Sequence, residues 1–331
     1  MKSLRQQTTI LLVAVVVMAT FLVGHQAFAL TLIPPSIELN GDPGSTLRTT
    51  IKLYNEGPDT QTLYTSTANF TAKDESGAPS FDFSTAKDGL ASWITTDVSK
   101  VTLTSGDRQQ VGVTITIPKD ADPGGHYAAV FFGTQPPSAG GTVGVASKIG
   151  TLMIIRVSGN INENASVKTF GIDGKSTTFG HAPVSFDLRV QNSGNVHIRP
   201  KGNVIVKNMW GHVAATVSIN TSEGAVLPNS VRKFTVTWGD DAASKGFFGQ
   251  VGAEWRHFSF GMYSAELDGS YGSTNKSLSG STTFLMFPWQ LLLVELLVVL
   301  IGLFVLIGGI KRYNSIIIKR AQGGRSPRSR S

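Results

Sequence analysis

Short stretches in which apolar and polar residues alternate recur through the middle of the chain. Leu47, Thr49, Ile51 and Leu53 alternate with Arg48, Thr50 and Lys52, and Val111, Val113, Ile115 and Ile117 alternate with their neighbours. Residues 185–190 and 231–238 follow the same pattern. A period of two sends successive side chains to opposite faces, so these runs, bounded by Gly, Pro, Asn and Asp, predict half-buried antiparallel strands. Amphipathic helical periodicity is almost missing from the same region. Many short strands at this spacing predict β-sandwiches.

Two apolar runs stand outside this texture. Residues 10–23 follow Lys2 and Arg5 and precede Ala27-Phe28-Ala29, the layout of a secretory signal peptide, with maturation expected at Leu30. Residues 291–310 are apolar except for Glu295. About 20 such residues at 1.5 Å each cover a ~30 Å hydrocarbon core, which predicts a transmembrane helix. Beyond it Lys311, Arg312, Lys319, Arg320, Arg325, Arg328 and Arg330 occur without an acid, which under the positive-inside rule holds the tail in the cytoplasm. The predicted topology is a single pass through the cell membrane with the body outside. An uncleaved N-terminal anchor with two spans is the alternative.

The region between the ends repeats itself. A strand through Leu53 ends in Asn55-Glu56-Gly57, a turn at Leu103 introduces the strand through Ile117, and Gly125-His126-Tyr127 opens a closing strand. A strand from Val184 then ends in Asn192-Ser193-Gly194, Leu227-Pro228-Asn229-Ser230 introduces the strand to Trp238, and Gly261-Met262-Tyr263 opens another. The offsets are about 137, 124 and 136 residues. The expected fold is all-β, two tandem immunoglobulin-like β-sandwiches followed by one transmembrane helix. Asn-x-Gly is expected to turn the chain through positive φ. Gly-x-Tyr is expected to form a corner in which a tyrosine hydroxyl meets the backbone. The map is 1–29 signal peptide, 30–162 first sandwich, 163–269 second sandwich, 270–285 polar stem rich in Ser, Gly and Thr, 286–310 transmembrane helix and 311–331 basic tail. Residues 136–141, Pro-Pro-Ser-Ala-Gly-Gly, are expected to be a loop inside the first sandwich.

Charge adds little once topology is allowed for. The chain carries +7 overall, but the body from Leu30 to Trp289 holds 20 basic and 21 acidic residues. A near-neutral body does not imply nucleic acid. The chain has no cysteine, which removes thiol chemistry and disulfides and favours a bacterial or archaeal cell surface.

Little catalytic chemistry is legible. His126, His181, His197, His212 and His257 show no metal-ligand spacing, although His197 and His212 could approach across a hairpin. No catalytic residue, metal or cofactor is expected, and the chain reads as a non-enzyme. Candidate contacts for sugars or a partner are the aromatics Trp210, Trp255, Phe258 and Phe260, with Phe131 and Phe132. The competing expectation is that Trp255, Phe247 and Phe248 pack into a core as Phe234 and Trp238 do. Glu295, a carboxylate inside the span, is a candidate for contact with a partner helix.

The stretch from Gln191 to Gly202, with 204–206, Leu227 to Phe234 and Gly261-Met262-Tyr263, resembles the WxL-interacting proteins of bacterial surfaces. Pro118-Lys119 and Gly124-Gly125-His126-Tyr127 look like that family's closing segment in the first sandwich. The resemblance covers most of residues 31–310 and implies a wall-associated adaptor, whose first domain binds peptidoglycan and whose second contacts a WxL-type envelope protein. The expected function is therefore a membrane-anchored surface binding or adaptor protein. A structural or chaperone-like subunit of an envelope assembly, working by β-strand pairing, is the alternative.

Overall fold

The computed structural model describes residues 30–83, 88–136, 148–239 and 246–323, with side chains as far as Lys319. The expected signal peptide, the loop from Pro137 and the end of the basic tail lie outside the described residues. The described chain forms two compact units, one up to Thr71 with Ser80–Asn160, the other Ala72–Pro79 with the residues from Ile161 onward.

The first unit carries two sheets. One orders β1 (Leu30–Ile33), β3 (Thr46–Asn55), β8 (Arg108–Thr116) and β6 (Ile94–Thr96). The other orders β2 (Ser36–Gly41), β10 (Lys148–Val157), β9 (Gly124–Gly133), β4 (Gln61–Ala72) and β5 (Pro79–Asp82), and β7 (Lys100–Leu103) also pairs with β4. A five-residue helix, α1 (Gly89–Trp93), precedes β6. The alternating residues point inward as the pattern requires: Ile51, Leu53, Val111, Val113 and Ile115 are buried with Phe132 and Met153. Burial of each such side chain contributes roughly 1.5–3 kcal/mol, and with no disulfide this core holds the unit.

The second unit repeats the plan. β11 (Ala165–Ile172), β13 (Val184–Asn192) and β16 (Ser230–Trp238) form one sheet. β12 (Thr178–Phe179), β18 (Lys276–Met286), β17 (Gly261–Tyr271), β14 (Lys201–Asn208) and β15 (Val213–Ser218) form the other. Val184, Phe186, Leu188 and Val190 meet Val204, Val206 and Phe284 between them. In both units a leading strand pairs antiparallel in one sheet (β1 with β3, β11 with β13), and its continuation crosses to run parallel to the last strand of the other (β2 with β10, β12 with β18). That is the layout of an immunoglobulin-like sandwich.

The repeat reaches to single hydrogen bonds. Buried Asn55 donates from Nδ2 to the carbonyls of Asp59 (2.8 Å), Leu103 (3.1 Å) and Thr104 (3.0 Å), and its Oδ1 accepts from Gly57 N at 3.1 Å. Asn192 donates to the carbonyls of Val196 (2.8 Å) and Val226 (2.9 Å) and accepts from Gly194 N at 2.9 Å. The expected cause of these turns needs correction. Neither Asn-x-Gly turn has positive φ; a buried amide serves the backbone instead, and a Cβ on Gly194 would lie 2.2 Å from the Asn162 carbonyl. In the second unit the corner bond expected of Tyr263 is made by Tyr271, whose hydroxyl accepts from Ala165 N–H at 2.9 Å. Tyr263 packs its ring beside Phe284 in the core.

Three further expectations change. The polar stem is largely β18, paired with β17 in continuous register from Tyr271↔Lys276 to Gly261↔Met286. Its Ser, Thr and Gly residues clothe a strand that buries only Leu278, Phe284 and Met286. A helix that the pattern did not suggest, α2 (Gly246–Arg256), precedes β17. The terminal helix α3 (Trp289–Gly323) begins two residues after β18 and runs on through Lys311 and Arg312 into the segment read as a tail. Within α3, Trp289–Lys319 is long and apolar enough to cross a membrane.

Candidate interaction site

A β-sandwich presents sheet edges, and natural edges are guarded by brevity, charge, proline, bulges or covering segments. In the first unit β1, β5 and β6 have four, four and three residues, and β5 begins at Pro79. β2 follows Pro34-Pro35 and carries Glu38. In the second unit the pairing of β11 with β13 shifts register between Val167 and Thr169, leaving Lys168 as a bulge, and that of β15 with β14 shifts between Val206 and Lys207. β16 carries Arg232 and Lys233, and Lys233 N donates to the Glu75 carbonyl at 2.7 Å. The guard on β16 is reinforced by charge. Lys233 Nζ lies 2.7 Å from Asp187 Oδ2, and Arg189 Nε donates to Glu75 Oε2 at 2.6 Å. The bond to Asp187 raises the Lys233 ammonium above its ordinary value, and the bond to Glu75 raises the Arg189 guanidinium.

β18 differs from all of these. It has eleven residues, yet β12 pairs with it only at Leu285 and Met286. Among the described residues, positions 276–284 pair with β17 alone. This stretch reads Lys-Ser-Leu-Ser-Gly-Ser-Thr-Thr-Phe: one charge, no proline and no break in register. β11 in the opposite sheet brings Phe170 against Gly280, where an added Cβ would be 3.1 Å from Phe170 Cβ, but the two strands are not paired. The outward amides follow from the short stretch that is covered. Leu285 N donates to the Thr177 carbonyl and Phe287 N to that of Phe179, so alternation turns the N–H groups of Ser277, Ser279, Ser281 and Thr283 to the same free side.

The candidate aromatics collect elsewhere. Asn208 pairs with Tyr263, and Gly261 with Met286, so the turn carrying Met209 and Trp210, the start of β17 and the end of β18 share one end of the second sandwich. A Cβ on Gly261 would lie 2.4 Å from Met209 Cε. α3 leaves from this end. α2 packs there as well: Glu254, 1% exposed, accepts from Leu291 N at 2.6 Å through Oε2, and the Phe247 and Trp289 rings meet edge to face with centroids 6.4 Å apart. Trp210, Trp255 and Phe258 are all exposed, at 69%, 68% and 59%. The core packing expected for Phe248 and Trp255 is therefore corrected, because α2 turns both outward. Phe131 and Phe132 are corrected in the other direction, being buried and unable to serve as platforms.

Glu295 lies on an exposed face of α3 and lines a groove of about 710 Å³ together with Trp255, Arg256 and Leu291. His197 is buried near Arg199, whereas exposed His212 sits in the β14–β15 turn, where its N–H donates to Asn208 Oδ1, so the structure does not bring the two together. Among the described residues no group of three or more potential metal ligands occurs.

No protein-family model matches the chain, and no curated protein does. Among solved structures, the class 5 fimbriae chaperone CfaA is 13% identical, with 78% of this chain and 100% of that one covered and a TM-score of 0.37. The E. coli chaperone DraB is 10% identical over 76% of this chain and 96% of its own, with a TM-score of 0.34. The Pseudomonas aeruginosa CupB2 chaperone is 9% identical over 77% and 100%, with a TM-score of 0.33. No residue of this chain takes a role from them.

Proposed function

We propose that the chain is a non-enzymatic, membrane-anchored subunit of an envelope assembly, which offers the free edge of β18 to an extended segment of another envelope protein. One observation carries the reading: β18 is the long edge left without the guards that protect the others. An added strand would recruit the outward amides of residues 277–283, each main-chain hydrogen bond contributing roughly 0.5–1.5 kcal/mol net, with side-chain pockets supplying selectivity. α3 crosses the cell membrane in this reading, with the sandwiches outside and the basic end inside. The resemblance noted in the sequence makes a WxL-type protein one such partner and peptidoglycan a second ligand.

The test replaces Ser281 by proline. This removes an outward N–H and spares the bonds to β17, a position where edge strands tolerate proline. Full-length protein in lipid nanodiscs, wild type and Ser281→Pro, is offered a detergent extract of the envelope and, separately, protein-free cell wall. The expected result is an envelope protein retained by wild type and lost from a folded Ser281→Pro variant, with slowed hydrogen exchange at residues 277–283 in the complex. Equal retention by both proteins rules out the edge. Sedimentation with bare wall in place of a protein partner would favour the polymer adaptor.

A further inference from the structure

The end of the second sandwich from which α3 departs carries an apolar surface that strand pairing does not use. α2 buries Ala253 and Glu254 and turns Phe248 outward at 82% exposure, with Trp255 beside it on the helical spacing of 248, 251 and 255. Phe258 follows α2, and Phe260 packs against Phe287 with ring centroids 6.1 Å apart. Met209, Trp210 and Met262 expose further apolar surface on the same end. Scattered exposed hydrophobes need no explanation, but a contiguous rim of aromatics around one end of a domain does.

We infer that α2 and this rim form a lipid seat: the helix lies in the outer headgroup region of the membrane that α3 enters, and acyl chains fill the groove between α2 and α3. Three observations point to lipid. First, the rim is continuous with α3, whose stretch Trp289–Lys319 suits a bilayer, so the rim meets whatever plane that helix enters. Second, α2 is fixed to the first turn of α3, because the buried Glu254 carboxylate accepts from Leu291 N–H, a free donor at a helix start. α2 therefore cannot leave that plane without breaking a buried hydrogen bond. Third, the chemistry is that of an interfacial helix, with Phe and Trp outward, Arg256 as its one exposed charged side chain and its acid turned inward. The groove wall is mostly apolar, and Glu295 lies four residues past Leu291, at headgroup depth rather than mid-bilayer.

The inference rests on the membrane-anchored part of the proposed function and is independent of the β18 edge. The chain has no cysteine, so single nitroxide labels go in directly as Phe248→Cys, Trp255→Cys, Phe304→Cys and, on the exposed strand β15, Thr216→Cys. Full-length protein in nanodiscs of phosphatidylcholine with a minority of phosphatidylglycerol is read by the ratio of oxygen to nickel-chelate accessibility. The expected order is deep burial in hydrocarbon at 304, a shallow oxygen-favoured position at 248 and 255, and nickel-favoured exposure at 216. If 248 and 255 match 216 while 304 stays deep, the anchor stands and the seat is overturned. If 304 itself reads as aqueous, the anchor and the seat both fall. Labels at 248 and 255 shielded from both reagents would mean a protein covers the rim, which also overturns the lipid seat. Because the labelled rim positions are largely exposed, their substitution should leave the fold intact, checked by an unchanged circular dichroism spectrum.

Discussion

The two sandwiches are built on one plan and close it differently. In the first, β2 runs beside β10 over six paired positions, from Ser36↔Leu152 to Gly41↔Val157. In the second, β12 covers β18 at two, Thr178↔Leu285 and Phe179↔Met286. The leading strand crosses between sheets in both, but residues 173–177, bent at 173–175, use up the second crossing before β12 begins. A fold duplicated within one chain thus yields one sealed edge and one open edge, and the difference lies in a few residues of the leader.

The largest effect is expected from the matched asparagines. Asn192→Ala strands the Val196 carbonyl and the Gly194 N–H in a buried site and leaves the Val226 carbonyl with Ile198 N–H as its donor, at about 1–3 kcal/mol for each group left without a partner. Urea unfolding should show a loss of about 3 kcal/mol or more in the second unit for Asn192→Ala, and a comparable loss confined to the first for Asn55→Ala. Hydrogen exchange separates the two. A difference in which unit responds would dissolve the equivalence of the repeats.

Next in size is the contrast between neighbouring prolines. Thr282→Pro removes a bond to β17 and should unfold the β17–β18 hairpin, whereas Ser281→Pro should leave the circular dichroism spectrum and melting midpoint nearly unchanged. Similar damage from both would mean that β18 has no free side. Charging the edge is gentler: Thr283→Lys should weaken strand addition about tenfold with the fold intact, read by titration with the retained partner segment.

The smallest effects come from pH, and they have opposite signs in the two units. The Asp107 carboxyl is held below its ordinary value by the Thr104 hydroxyl and N–H, so its contribution to the Leu103–Asp107 turn is full above the usual carboxylate range. That contribution disappears as pH falls through the lowered value. Lys233 is held above its ordinary value by Asp187, so its contribution is full below about pH 10.5 and disappears as pH rises through the raised value. Asp107→Asn should flatten the acid limb of the first unit, and Lys233→Met the alkaline limb of the second, each by a small amount because the groups are solvated.

Much of the architecture could be read from alternation alone. The runs at 47–53, 184–190 and 231–238 lie within strands β3, β13 and β16, that at 111–117 ends one residue past β8, and the terminal apolar helix is where its composition put it. β18 was hidden by composition. Its inward even positions include Gly280 and Thr282, so Ser, Gly and Thr looked like a linker although Leu278, Phe284 and Met286 keep the strand period. α2 was hidden by its glycines at 246, 249 and 252, though the spacing of Phe248, Val251 and Trp255 was a legible helical signal. Trp210, Trp255 and Phe258 were identifiable as candidates, but their gathering at one end depends on strand register, which no local pattern encodes.

Only Phe287 and Pro288 separate the last strand from the last helix. With β18 anchored so closely, residues 276–284 at ~3.3 Å each stand within some 30–40 Å of the point where α3 begins. Under the proposed strand addition at a membrane-anchored chain, a docking segment must come down to that height. For a partner itself tethered to the same bilayer, encounter becomes a search in two dimensions, in which tether length governs the local concentration as much as the fit of the strand does.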